Sequence, residues 1–308
     1  MSRTRAVAVV GAGRAALALV PALADAGVPI AAVAARSRPA AARLRRAVPS
    51  VAVVRHAADA ARAADVVLLA VRDREIAPLA GSLAAARRWR GVVALHLAGA
   101  LGPDQLAPLA RVGAATGVFH PLQSLGIPGG ARLAGSGVRL EGDRGALAAG
   151  RSLARALGLT PLVTRTPPGA DGRAAYHAAA SLVGNDLIAL LEVAGELLAR
   201  AGFSRRSAGA ALDALARGTL DNVRAAGVDR ALTGPVVRGD AEIVIRHLRA
   251  IARVSRPVST AHARLSERLV EIAVRAGRLD VRAARELAAA LRAADARRGG
   301  GSRRGPTV

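Results

Sequence analysis

Val7-Ala8-Val9-Val10-Gly11-Ala12-Gly13-Arg14-Ala15-Ala16 decides the fold. Four apolar residues make a short strand, G-x-G-x-x-A turns the chain, and an Ala- and Leu-rich helix follows. Gly11 allows the tight turn. Gly13 lets the backbone approach a diphosphate with no Cβ in the way, and Ala16, in place of a third glycine, keeps the helix close to the sheet. The loop Ala12, Gly13, Arg14, Ala15 then offers free amides and a helix dipole to phosphate oxygens. A lone glycine motif is weak; the strand before it and the helix after it are the context that gives it weight. A purely structural tight turn is the competing reading.

Working outward, short apolar runs at 6–10, 30–35, 51–54, 66–71, 92–97 and 112–119 alternate with helical stretches. Near-continuous apolar runs fit strands buried on both faces, and the alternation argues for right-handed βαβ units. Two further strands are expected at 138–140 and 159–163, with a helix at about 144–157 between them. Thr166-Pro167-Pro168-Gly169 breaks the pattern. Beyond it only helices are expected, near 171–201, 204–226, 239–252, 255–276 and 280–296. The expected architecture is α/β: a doubly wound (Rossmann) parallel sheet over 1–165, an all-helical domain over 166–296, and a glycine- and arginine-rich disordered tail over 297–308.

The second strand refines the ligand. A site for NAD wants an acid near the end of this strand to hold the ribose hydroxyls. No acid stands between Asp25 and Asp59; Arg36-Ser37-Arg38 follows the strand instead. Two guanidiniums and a hydroxyl suit a 2′-phosphate, so NADP is the expected cofactor. The abundance of arginine is the competing explanation. Val71 and Arg72, at the end of the fourth strand, are expected to line the cofactor, with Asp73 capping the next helix.

Composition sets the limits. The chain has 308 residues, no cysteine and no lysine; all 45 basic residues are arginine, against 22 acids, for a formal charge of +23. Thiolate nucleophiles, disulfides, Schiff bases and lysine acids are excluded. The charge suggests either a nucleic-acid partner or a solvated arginine surface. Scattered arginines and aromatics at only 1% favour the surface, so nucleic acid is not expected. Arg14 interrupts the apolar start and no convincing A-x-A site leads into a new mature start, so the expectation is a cytoplasmic protein without a membrane span.

Several further blocks occur in a telling order: Ala70-Val71-Arg72-Asp73, His96-Leu97-Ala98-Gly99-Ala100-Leu101, His120-Pro121-Leu122-Gln123-Ser124, Tyr176-His177-Ala178-Ala179-Ala180, Gly218-Thr219-Leu220, and Leu232-Thr233-Gly234-Pro235-Val236-Val237-Arg238-Gly239-Asp240. With the glycine turn they resemble the Rossmann-like and DUF2520 domain-containing proteins. That family is related in architecture to pyrroline-5-carboxylate reductases and the 6-phosphogluconate dehydrogenase-like superfamily. The resemblance runs from about residue 5 to about 265. It implies an NADP-dependent oxidoreductase whose helical domain helps it form a homodimer, and it implies no particular substrate.

Hydride transfer needs a proton donor or acceptor beside the cofactor. With lysine and cysteine absent, His120, Tyr176, His177 and Asn185 are the catalytic candidates. His96, Gln123, Ser181 and Arg238 are the substrate-binding ones. His96 and His120 fall at or just after predicted strand ends, which face the ligand crevice in such sheets. A hydrogen-bonded structural role is the alternative for each. His177, Ser181 and Asn185 are spaced four apart on one helical face, which meets either a substrate or a helix–helix contact. In related hydroxyacid dehydrogenases a lysine precedes the asparagine by four; here Ser181 holds that place, which favours imine reduction or a histidine-assisted step. Arg238 suits a carboxylate clamp, and Asp240 an N-cap. No metal site is expected. The leading expectation is an NADP(H)-dependent reductase or dehydrogenase acting on a small carbonyl, imine or alcohol; the alternative is a non-catalytic dinucleotide-binding sensor or scaffold.

Overall fold

The computed structural model describes residues 5–125, 133–162, 164 and 169–299. Residues 166–168 of the breaker and residues 300–308 of the expected tail lie outside the described residues. The chain divides into two compact units, residues 1–184 and 185–308.

The first unit is one sheet clothed by helices: β1 (Val7–Val10), α1 (Arg14–Asp25), β2 (Ile30–Ala34), α2 (Arg38–Ala47), β3 (Val53–Val54), α3 (Ala57–Arg62), β4 (Val66–Leu69), α4 (Asp73–Ala84), β5 (Val93–His96), α5 (Ala107–Arg111), β6 (Ala115–Leu122), β7 (Gly137–Gly142), α6 (Arg144–Ala156), β8 (Thr160–Leu162) and α7 (Ala170–Ser181). The strand order is β3-β2-β1-β4-β5-β6-β7-β8. The fold is therefore the doubly wound type, with the reversal of strand order at β1. Alternate residues of each strand feed opposite cores, as the period of two requires. Val7, Val9, Val66 and Leu68 pack with α1 and α2; Ala8, Val10, Val67 and Leu69 pack with α3 and α4. The two edges are a two-residue strand and an exposed strand carrying Pro161, both poor templates for further pairing.

One departure matters for the site. The strand expected at 112–119 runs instead from Ala115 to Leu122, and β7 pairs with it antiparallel. His120 is thus inside β6, opposite Arg139, and not at or just after a strand end. The antiparallel partner supplies the hydrogen bonds that carry the strand past Phe119.

The second unit holds α8 (Leu187–Arg200), α9 (Arg205–Ala231), α10 (Ala241–Ala252), α11 (Arg256–Arg275) and α12 (Val281–Gly299). Ser204 and Ser255 cap α9 and α11 through their hydroxyls. Gly227, with φ 75° and ψ 165°, breaks α9. Val244, Leu248, Val270, Leu287 and Leu291 form the core of α10–α12. On α8 only Val193 is buried, and on α9 only Ala208. The single helix expected over 171–201 is in fact α7 and α8 joined by a π-helical turn, Leu182–Asp186. No helix among the described residues is long and apolar enough to cross a membrane.

Candidate functional site

The glycine turn forms as its residue types require. Gly11 has φ of 122°, and a Cβ there would stand 2.2 Å from the Ala70 carbonyl oxygen, so only glycine lets β1 turn against β4. A Cβ on Gly13 would meet nothing within 4 Å. The space above Gly13 is open, and Gly13 is the N-cap of α1 without a side-chain cap bond. Ala16 is fully buried between α1 and the sheet. A cleft of about 880 Å³ opens here, lined by Gly11, Ala12 and Gly13, by Arg36 and Ser37 from the end of β2, by Arg55 and His56, and by Val71, Arg72, Arg74 and Glu75. An open glycine, uncapped amides and several guanidiniums fit a diphosphate-bearing dinucleotide.

Within the cleft the side chains differ in what they are free to do. Arg36 is exposed and pairs with Glu75 at 3.2 Å. The Ser37 hydroxyl accepts the Ala40 amide at 3.4 Å, which makes it the N-cap of α2. Arg14 and Arg38 are exposed first residues of α1 and α2, and Ala15 is partly buried. Asp73 does not cap α4: Arg72 holds the N-cap position and Asp73 is the first helical residue. Its carboxylate favours the helix dipole there, together with Glu75.

A second cluster stands three strands away from β1, counting β4, β5 and β6, on the order of 15 Å at ordinary strand spacing. His120 on β6 meets Tyr176 on α7, with Nδ1 2.9 Å from the phenol oxygen. The His177 and His120 rings meet edge to face, with centroids 6.2 Å apart. Both rings close on Gly99: a Cβ there would lie 2.6 Å from His177 Nδ1 and 2.8 Å from His120 Nε2. Burial, the Arg139 guanidinium and His177 push His120 down to about 4, so its ring is neutral at pH 7. Burial pushes Tyr176 up to about 12 against the opposing pull of Arg139, so it keeps its proton.

Arginines and an acid beneath this pair hold it in place. Arg139 on β7 lies with its guanidinium carbon 5.3 Å from the Tyr176 ring centroid and donates to the Leu101 carbonyl at 2.7 Å. Its Nη1 binds Glu141 Oε2 at 2.6 Å, with both side chains buried. Arg173, one turn before Tyr176 on α7, binds Glu141 Oε1 at 2.5 Å. Glu141 thus ties β7 to α7 and sets where Tyr176 stands. Arg139 Nε is buried without a hydrogen bond, which the cation–π contact with Tyr176 offsets in part. None of Arg139, Glu141 and Arg173 is singled out by the sequence reading. The signal for the first two is Val138-Arg139-Leu140-Glu141, a strand whose two charges share one face.

Each remaining candidate has a setting of its own. His96 is fully buried; Nδ1 accepts the Ala98 amide at 3.2 Å, which leaves the proton on Nε2 to donate to the Gly102 carbonyl at 2.8 Å. Both its ring nitrogens are thereby engaged with backbone. Gln123 donates to the Ser136 hydroxyl and accepts the Ser124 amide, holding its own turn. Ser181 ends α7, while Asn185 follows inside the π-helical turn and begins the second unit. The wider π turn shifts Asn185 off the four-residue register shared by His177 and Ser181. Arg238 is exposed between α9 and α10 in the second unit. Asp240 holds the N-cap position of α10 without a side-chain cap bond. Among the described residues no group of three or more His, Asp or Glu is placed to hold a metal ion.

A doubly wound sheet with its crevice at the strand-order reversal defines the Rossmann class. Residues 2–121 match the Rossmann-like domain, and residues 137–269 match the domain of unknown function DUF2520. The chain is a Rossmann-like and DUF2520 domain-containing protein. No curated protein matches its sequence. Among solved structures it is similar to protein BF3122 from Bacteroides fragilis, at 21% identity and a TM-score of 0.69 over 85% of this chain and 96% of that one. It is also similar to an imine reductase from a Pseudomonas species, at 16% identity and a TM-score of 0.63 over 92% of this chain and 99% of that one. A third is the Plasmodium falciparum pyrroline carboxylate reductase with NADP bound, at 10% identity and a TM-score of 0.59 over 95% and 97%.

Proposed function

We propose that this protein is an NADP(H)-dependent oxidoreductase that moves a hydride to or from a small carbonyl, imine or alcohol. The observation that carries the reading is the order of neighbouring strands. The diphosphate cradle lies after β1, the lining residues Val71 and Arg72 after β4, Gly99 after β5, and the His120–Tyr176 pair at β6. A dinucleotide laid from Gly13 across β4 points its reactive end toward the paired proton carriers. Arg36, Arg55, Arg72 and Arg74 around the ribose side favour the extra phosphate of NADP. The bound NADP found in the Plasmodium structure and the imine chemistry of the Pseudomonas one agree with this.

A bound nicotinamide supplies the hydride. The chain's residues manage the proton. Tyr176, held protonated by burial, is the general acid for the nitrogen or oxygen of the bond being reduced. Arg139 lies against its ring and stabilises the phenolate left behind. His120, neutral and bonded to the phenol through Nδ1, orients it, and the phenolate regains its proton from solvent. Glu141 and Arg173 hold α7 so that this geometry persists.

The test is single-turnover oxidation of NADPH across a panel of cyclic imines and ketoacids. Tyr176→Phe is expected to slow the responsive substrate by about 100-fold or more while NADPH affinity stays within twofold. Tight coenzyme binding with no turnover on any of them would instead favour a sensor or scaffold.

The same proposal includes a homodimer through the helical unit. Ile188 on α8 and Leu215 on α9 are 62% and 67% exposed, and neighbouring leucines share that exposure. An apolar surface of this kind marks an association site. Light scattering should give twice the chain mass, and Ile188→Asp should shift it toward one.

A further inference from the structure

β2 ends without a carboxylate, yet the cleft contains one. Glu75, in the first turn of α4, reaches Arg36 at the tip of β2 and accepts its Nη2 at 3.2 Å through Oε1. It arrives from β4, the strand on the far side of β1, so it closes over the ribose side of the cleft from the opposite direction. Arg36 is 83% exposed at its side chain and Glu75 32%, so water screens the pair and a ligand can replace either partner. The Arg36 guanidinium holds the Glu75 carboxyl below its ordinary range, and it is ionised at neutral pH.

We propose that Glu75 sets the choice of coenzyme: it occupies in the free protein the guanidinium that a 2′-phosphate needs, and it supplies the ribose-hydroxyl acceptor missing from β2. This rests on the cleft being a dinucleotide site. The consequence follows from charge alone. A 2′-phosphate must take Arg36 away from Glu75 and then lie beside a like charge. A bare ribose has neither obstacle; its hydroxyls donate to the carboxylate as they do to the acid of an NAD site. Arg55 and Arg74, both lining the cleft, keep the phosphate form competitive. The protein therefore discriminates between NADPH and NADH less than its arginines suggest, and one carboxylate is the reason.

Calorimetric titration of the wild-type protein and Glu75→Gln with NADPH and with NADH tests this. The substitution is isosteric and its side chain is partly solvated, so the fold is retained; a circular dichroism melt checks that. The expected result is NADPH tighter by about tenfold, NADH unchanged or a few-fold weaker, and a selectivity ratio up by tenfold or more. An unchanged or reduced ratio overturns the inference, because Glu75 would then merely orient Arg36. Wild-type protein that binds neither coenzyme overturns the dinucleotide reading itself, and the inference with it.

Discussion

Two arginine–glutamate pairs in the sheet unit have the same chemistry and opposite character. Arg36–Glu75 stands in the open cleft at 3.2 Å, with side chains 83% and 32% exposed; Arg139–Glu141 is closed at 2.6 Å, with 5% and 6%. In water an ion pair is weak and exchangeable. In a desolvated interior the same pair is costly to leave half-made, because the survivor is a buried uncompensated charge. The first pair is therefore suited to trade partners with a ligand, and the second to fix a geometry. The placement follows that division: the exposed pair sits where a coenzyme would bind, the buried one under Tyr176 and His120.

The largest expected effect comes from breaking the buried pair. Glu141→Ala strands Arg139 and frees Arg173, and should cost about 3–5 kcal/mol of stability, read from urea unfolding. A cost under about 1 kcal/mol would mean that the network is solvated and does not hold α7.

Acid stability probes the same pocket. Below pH 6.5 the unfolded chain takes up a proton that folded His120 declines until about pH 4. Stability from this group is complete above pH 6.5, falls as the pH drops toward 4, and levels off below, by up to about 3 kcal/mol. His120→Asn should flatten much of that slope; His96, also held down by burial, leaves a remainder. An unchanged slope would contradict the neutral, desolvated ring.

Gly99→Ala is subtler. The new methyl meets two ring edges, not backbone, so the histidines can swing aside. Stability should fall by about 1 kcal/mol, while turnover of a responsive substrate falls at least tenfold. Equal turnover would show that ring placement is unimportant. The smallest effect belongs to the exposed pair: Glu75→Gln should leave the urea midpoint unchanged within error, whatever it does to coenzyme choice.

What the sequence reveals of this molecule divides along similar lines. The Gly11 turn is legible because its requirements are local: a positive φ, a close carbonyl, an open approach. The strand–helix alternation is legible because each strand is buried on both faces and reads as an apolar run. His120, Tyr176 and His177 are found by residue type, since lysine and cysteine are absent. Arg139, Glu141 and Arg173 are not, because their roles depend on the antiparallel register that sets Arg139 opposite His120 and on α7 returning to the sheet. Among 45 arginines, Arg173 carries no local mark and Arg139 only that of sharing a strand face with Glu141. Glu75 escapes for the same reason: it is 39 residues from Arg36, and only the strand order brings them together. His96 shows the reverse case, a residue placed correctly at a strand end whose two nitrogens serve the backbone.

Calorimetric titration of wild-type and Arg36→Glu protein with NADPH and NADH addresses the central claim most directly. The account predicts one site per chain, with the substitution weakening NADPH far more than NADH. Folded wild-type protein that gives no binding heat with either coenzyme would contradict it.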